Sequence, residues 1–289
     1  MADREIDEAT GVETVGHEWD GIKELDNPMP RWWLWTFYAT IIFSIGYMIY
    51  YPSIPLIEDS TQGISGHTNR AALQVEMAEA AESRQVYLSQ IADSDLQVIR
   101  GNEELARFAV AGGDSAFKIH CSQCHGTGAQ GSSGYPNLND DDWLWGGDLD
   151  AIYLSIKHGI RNDEDDDARY SEMPAYGADE LLERDEIAQV TQYVLQISGQ
   201  DHDRELAALG EETFGSECAT CHGPNGGGDR EFGAPNLTDA ISLYGNNAEL
   251  IARQIRKPKH GVMPAWGDRL SDETVKQLAI YVHNLGGGE

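Results

Sequence analysis

The chain has 289 residues, room for one or two ordinary domains with extensions, and its 49 acidic against 20 basic side chains give a net charge of −29. A surface so negative repels polyanions and argues against nucleic acid as a partner, while a basic protein would be steered toward it; a solvated acidic face is the plainer reading of the same charge. The hydrophobic fraction, 40%, is low for a polytopic membrane protein and suits soluble domains with at most one span.

In chain order, residues 1–31 are polar and acidic, without the n-region and h-region of a signal peptide. Residues 32–51 then run 20 positions without a charge, long enough to cross a bilayer as a helix. Trp32, Trp33 and Trp35 crowd one end and Tyr47, Tyr50 and Tyr51 the other, where aromatic belts meet headgroups. A buried core helix is the alternative, but so acidic a chain has little other apolar material to cover one. Residues 52–109 read as a polar linker with helices, 71–92 being helix-prone without a defined apolar stripe. Two compact units follow, 110–200 and 204–289.

The units repeat each other. The first carries Cys121, Cys124 and His125, then Pro136-Asn137-Leu138, His158-Gly159 and Met173-Pro174-Ala175-Tyr176-Gly177. The second carries Cys218, Cys221 and His222, then Pro235-Asn236-Leu237, His260-Gly261 and Met263-Pro264-Ala265-Trp266-Gly267. Each ends in a helical pattern, Ile187, Val190, Val194 and Ile197 in one and Val275, Leu278, Ala279 and Val282 in the other. Landmarks kept in the same order mark a tandem duplication.

All four cysteines belong to the two Cys-x-x-Cys-His motifs. Cysteines three apart on a helical turn share one face. Their thiols can add to the two vinyl groups of a haem, and the next histidine can then reach the iron, so the motif reads as c-type haem attachment. A redox dithiol needs no adjacent histidine and belongs in a βαβ pattern, which is absent. A tetrahedral zinc site needs two further ligands. Two haem c groups, covalently held by Cys121, Cys124, Cys218 and Cys221, with His125 and His222 as axial ligands, are therefore expected. Such attachment takes place outside the bacterial inner membrane, which puts both units in the periplasm and the N-terminus in the cytoplasm. The expected fold is mainly α: one transmembrane helix plus two tandem class I cytochrome c-type domains.

For the sixth iron ligand, Met173 and Met263 occupy equivalent places in a duplicated pentapeptide, and the proline after each keeps it extended in a loop. Histidine–methionine ligation closes the iron and raises its potential, as an electron carrier requires. His158 and His260 are also paired by the repeat, and bis-histidine ligation through them is the alternative. Whether each methionine serves its own unit or the other stays open. Pro136 and Pro235 are expected to cover the proximal histidines, their carbonyls accepting the imidazole N–H. The acidic runs 140–142 and 163–167 read either as a docking patch for a lysine-rich donor or as solvated loops.

Residues 16–33, GHEWDGIKELDNPMPRWW, the single span that follows, and Trp143-Leu144-Trp145-Gly146-Gly147 together resemble subunit III of cbb(3)-type cytochrome c oxidase. The resemblance implies an electron-input subunit that is not itself catalytic. It would accept electrons from a soluble or membrane-anchored donor cytochrome c and pass them to the mono-haem subunit, thence to the oxygen-reducing, proton-pumping catalytic subunit. Membrane lipid would be the remaining partner. A free-standing, membrane-tethered di-haem shuttle of the cytochrome c4 kind needs the same haem sites but not residues 20–33. A di-haem peroxidase needs an exchangeable distal position, against which the paired methionines argue.

Overall fold

The computed structural model describes residues 4–239 and 241–289. The chain divides into two units, residues 1–83 and 84–289.

The first unit opens with an antiparallel hairpin, β1 (Thr14–Trp19) and β2 (Ile22–Leu25). Asp20 and Gly21, both at positive φ (47° and 84°), make the two-residue turn whose twist matches that of the strands. The polar, acidic composition of residues 1–31 predicts no element here, although an Asp-Gly pair between short strand-like runs is a hairpin signal. Helix α1 (Arg31–Tyr50) follows from Pro30, whose carbonyl accepts from Trp33 and Leu34, and it ends where Tyr51 turns extended before Pro52. None of its residues is buried, and its mean hydropathy of 1.3 makes it a candidate membrane span. The hydroxyls of Thr36, Thr40 and Ser44 donate back to the carbonyls of Trp32, Phe37 and Thr40 at 2.9, 2.7 and 2.8 Å. The threonine and serine hydroxyls of α1 are thus all satisfied within the helix, as an apolar medium demands. Helix α2 (Asn69–Ala92) begins in this unit and buries only Ile91.

The second unit is helical. Helices α3 (Leu96–Gly101) and α4 (Glu103–His120) lead into the one-turn α5 (Ser122–His125), followed by α6 (Leu149–His158) and α7 (Arg184–Ile197). Then α8 (Arg204–Thr213) passes through a π-helical turn at Phe214–Cys218 into α9 (Ala219–His222), and α10 (Ala248–Arg256) and α11 (Asp272–His283) complete the chain. Asn102, Asp148, Asp203, Asn247 and Ser271 cap α4, α6, α8, α10 and α11, each side chain accepting from a first-turn amide. Helix α4 starts at Glu103, upstream of the boundary expected at 110.

Two cores form, and each draws on both repeats. The first joins Leu105, Ala109, Phe117, Ile152 and Ile156 to Val275, Leu278, Ala279 and Val282. The second joins Ile187, Val190 and Val194 to Phe214, Cys218 and Ile255. So α4 pairs with α11 and α7 with α8: the first half of each repeat packs on the second half of the other. Gly113 lets α4 meet the backbone of α11 at Gln277, and Gly210 lets α8 meet that of α7 at Gln189. A Cβ at either glycine would fall on the facing carbonyl oxygen. Tilted ring pairs repeat across the two cores, Phe117 with Tyr281 at 5.4 Å and 51° and Phe214 with Tyr193 at 5.0 Å and 50°.

Candidate metal centres

Each centre starts from a single helical turn. Cys121 closes α4, and Cys124 and His125 lie in α5; Cys218 ends the π-turn, and Cys221 and His222 lie in α9. No disulfide joins any of the four cysteines. Burial pushes the Cys121 and Cys218 thiols up to about 11, the reverse of the lowered value that marks a reactive dithiol.

His125 Nδ1 lies 3.1 Å from the Pro136 carbonyl, and His222 Nδ1 lies 3.1 Å from that of Pro235. A carbonyl only accepts, so each Nδ1 carries a proton. Burial holds both imidazoles below their ordinary pKa, the Pro carbonyls acting in the opposite sense. The neutral ring with Nδ1–H keeps its lone pair on Nε2, the form that ligates a metal. The two Pro-Asn-Leu stretches thus cover the histidines as expected.

The methionines come from the opposite repeats. Met263 packs on the core that holds Phe117 and Cys121, and Met173 on the core that holds Phe214 and Cys218. Backbone bonds fix both loops. Met263 exchanges N–H···O bonds of 3.0 Å with Ile160, and the amides of Trp266 and Gly267 donate to Ile156 and Lys157 at the end of α6. On the other side the amides of Gly177 and Ala178 donate to Arg256 at the end of α10. The aromatic residue of each pentapeptide then reaches the residue before the first cysteine. Tyr176 donates its hydroxyl to the Glu217 carbonyl at 2.7 Å, and the Trp266 ring lies 5.2 Å from that of His120.

Beside Cys218, Cys221 and His222 opens a cavity of about 620 Å³, with Met173, Tyr176 and Phe214 also on its walls. That is the size of a cofactor site, ~300–1,000 Å³, and its walls supply thiols, an imidazole and a thioether. Two buried donors, Trp145 Nε1 and Asn162 Nδ2, have no acceptor among the described residues. An anionic cofactor edge would satisfy them, so the residues present fit a covalently held haem. His158 Nδ1 instead faces the Asp165 carboxylate at 3.0 Å, while His260 lines the cavity. Sequence reasoning passed over Arg161, Asn162 and Arg169. The signal available was the unequal spacing of the repeats: residues 160–172 separate Gly159 from Met173, whereas Val262 alone separates Gly261 from Met263.

Comparison with known proteins agrees with this architecture. Residues 11–58 match the N-terminal domain of cytochrome oxidase-cbb3, FixP, and residues 108–194 and 205–282 match cytochrome C oxidase, cbb3-type, subunit III. The chain is 52% identical over 276 residues to the cbb3-type cytochrome c oxidase subunit CcoP of Cereibacter sphaeroides, covering 96% of this chain and 95% of that one. It is 51% identical to the subunit FixP of Rhizobium meliloti and 52% identical to FixPc of Rhizobium leguminosarum bv. viciae, each over the full length of both chains. The first match takes in the apolar helix and its approach, which a bare tether would not need. With matched segments covering more than half its length and relatives alike from end to end, the chain belongs to the family of subunit III of cbb3-type cytochrome c oxidase.

Proposed function

We propose that this di-haem c-type cytochrome subunit takes electrons from a donor cytochrome c and hands them to the mono-haem subunit of its oxidase. From there they reach the catalytic subunit, where oxygen is reduced. The chain is an electron-transfer subunit of the oxidase and not its catalytic one. Its two haem c groups are covalently bound, one per cytochrome unit. Cys121 and Cys124 would hold one and Cys218 and Cys221 the other, with His125 and Met263 serving the iron of the first and His222 and Met173 that of the second. The observation that carries this assignment is the packing of each methionine loop on the cysteine–histidine turn of the other repeat.

A bound haem c supplies a one-electron ferric–ferrous couple. The protein's part is to close both faces of the iron, so that neither oxygen nor peroxide reaches it. Pro136 and Pro235 orient the proximal rings, and the thioethers favour the reduced state. Helix α1 anchors the chain in the membrane, with residues 1–30 cytoplasmic and the haem units in the periplasm. The charge of −29 suits a basic donor.

The test is purification of the tagged chain from detergent-solubilised membranes. Haem on the chain, co-purifying oxidase subunits and oxygen uptake driven by a reduced basic cytochrome support the proposal. A chain that carries haem but travels alone, and whose removal leaves oxygen uptake intact, contradicts it.

A further inference from the structure

The two repeats keep the same landmarks in the same order but differ most at the segment 161–172, which has no counterpart in the second repeat. Its acidic run draws the eye first, yet the residues on either side of that run go inward. Arg161 stands at positive φ, 51°, and its side chain is half-buried. Its Nε donates to the Gly261 carbonyl at 2.7 Å and its Nη1 to the Ser171 carbonyl at 3.0 Å. Gly261 lies two residues before Met263 and Ser171 two before Met173, so one guanidinium is bonded to both methionine loops. Arg161 also lines the cavity beside His222. Arg169 donates to the Trp145 carbonyl and lies over the Trp145 ring at 5.7 Å. Asn162 is 9% exposed.

These groups lack something. The chain has 49 carboxylate side chains, yet among the described residues none lies within ion-pair distance of Arg161 or Arg169. Burial lowers the pKa of both guanidinium groups without displacing their charge. Beside them sit the two orphaned donors, Trp145 Nε1 and Asn162 Nδ2. Trp145 packs against Gly233, where a Cβ would collide with its ring, and Gly233 lines the same cavity as Arg161. Tyr244, the counterpart of Trp145 in the second repeat, packs reciprocally near Gly134 and also lines that cavity. Half-buried cations without a counter-ion and buried N–H donors without an acceptor are costly, and they persist where an anion completes them.

We infer that Arg161, Arg169, Trp145 and Asn162 form a carboxylate-binding cradle where the two haem sites meet, and that it receives the propionate side chains of the bound haems. Arg161 faces the haem of the His222 cavity, and Trp145, by the repeat symmetry with Tyr244, faces the haem of the His125 site. The inference rests on the di-haem assignment above. A fixed positive charge at the haem edge disfavours the ferric iron relative to the ferrous and so raises the potential. Because Arg161, Asn162 and Arg169 belong to the unduplicated segment, the cradle treats the two haems unequally.

The experiment is a potentiometric titration of the purified full-length chain in detergent, comparing Arg161→Gln, Arg161→Lys and Trp145→Phe with the unaltered protein. Arg161→Gln should lower one potential by about 59 mV or more, a tenfold fall in the reduced-to-oxidised ratio at fixed ambient potential. Arg161→Lys, which keeps the charge, should restore most of that shift. Trp145→Phe, which removes only an N–H donor, should give a smaller shift in the same direction. Retained methionine–iron absorption in the ferric form separates this charge effect from a loosened ligand loop. Potentials unmoved in all three variants overturn the cradle, as does Arg161→Gln weakening only assembly with other subunits, since the carboxylate would then be a partner's. A chain that binds no covalent haem at all would instead bring down the di-haem assignment.

Discussion

Met173 and Met263 sit in matching Met-Pro-Ala-aromatic-Gly frames, and a thioether favours ferrous iron where a second imidazole favours ferric. Met173→His and Met263→His should each leave both haems attached and lower one potential substantially, and the double variant should lower both. Redox titrations identical to the unaltered chain would count against thioether ligation. A second residue-scale expectation concerns Asp142, held up to about 6 first by burial and then by Asp239, Asp140 and Asp141. Its folded pKa lies above the ordinary carboxylate value, so between roughly pH 4 and 6 the native state binds more protons than the unfolded one. Stability must therefore fall as pH rises through that window and level off above it. Asp142→Asn should raise the melting temperature at pH 7.5 and change it little at pH 4; an equal effect at both values would mean the carboxylate is not strained. The ligand-type residues were legible because the duplication singles them out twice. Asp142 was not, since a half-buried carboxylate and a solvated one read alike inside an acidic run, nor was Arg161, a basic residue in a segment without a repeat counterpart.

At the scale of elements, the paired helices depend on two close approaches. Glycine to alanine in an open helix position gains about 1 kcal/mol from propensity. At Gly113 or Gly210 the new methyl meets a backbone carbonyl that cannot swing away, and overpacking costs about 1–3 kcal/mol. Gly113→Ala and Gly210→Ala should thus destabilise the holo-protein in denaturant unfolding, while Gly215→Ala, with nothing within 4 Å of its Cβ, should not. If all three behave alike, the helix pairs do not cross at these glycines. Helix α1 carries a different expectation. Lipid gives no hydrophobic drive for helices to associate, so a subunit's span needs specific side chains where a tether needs only length. A chain whose α1 is replaced by an unrelated span should insert and acquire both haems, yet fail to co-purify with the oxidase; full assembly would move the partner contacts to the haem units. The span, α2 and the terminal helices were readable from charge-free length, composition and periodicity. The hairpin before the span was missed because its short strands mix polar and apolar side chains without a clean alternation and only the Asp20-Gly21 turn marks them.

At the scale of the whole molecule, the duplication settles less than it seems to offer. Both repeats carry the same apolar pattern, the same glycine crossing and the same methionine frame, so either second half is chemically suited to either first half. Sequence alone cannot choose between two self-contained units and two exchanged ones; the choice rests on long-range packing and on the short, exposed link between α7 and α8. In the exchanged arrangement that link joins a helix pair rather than two free domains, and each haem site needs residues from both sides of it. The most direct measurement is to introduce a protease site at residues 199–202, cleave the purified holo-protein, and follow haem absorbance by size exclusion without denaturant. The exchange predicts that the two fragments stay together in one peak bearing both haems, with the potentials of the intact chain. Two peaks, each carrying one haem with an unchanged methionine-ligated spectrum, would contradict it.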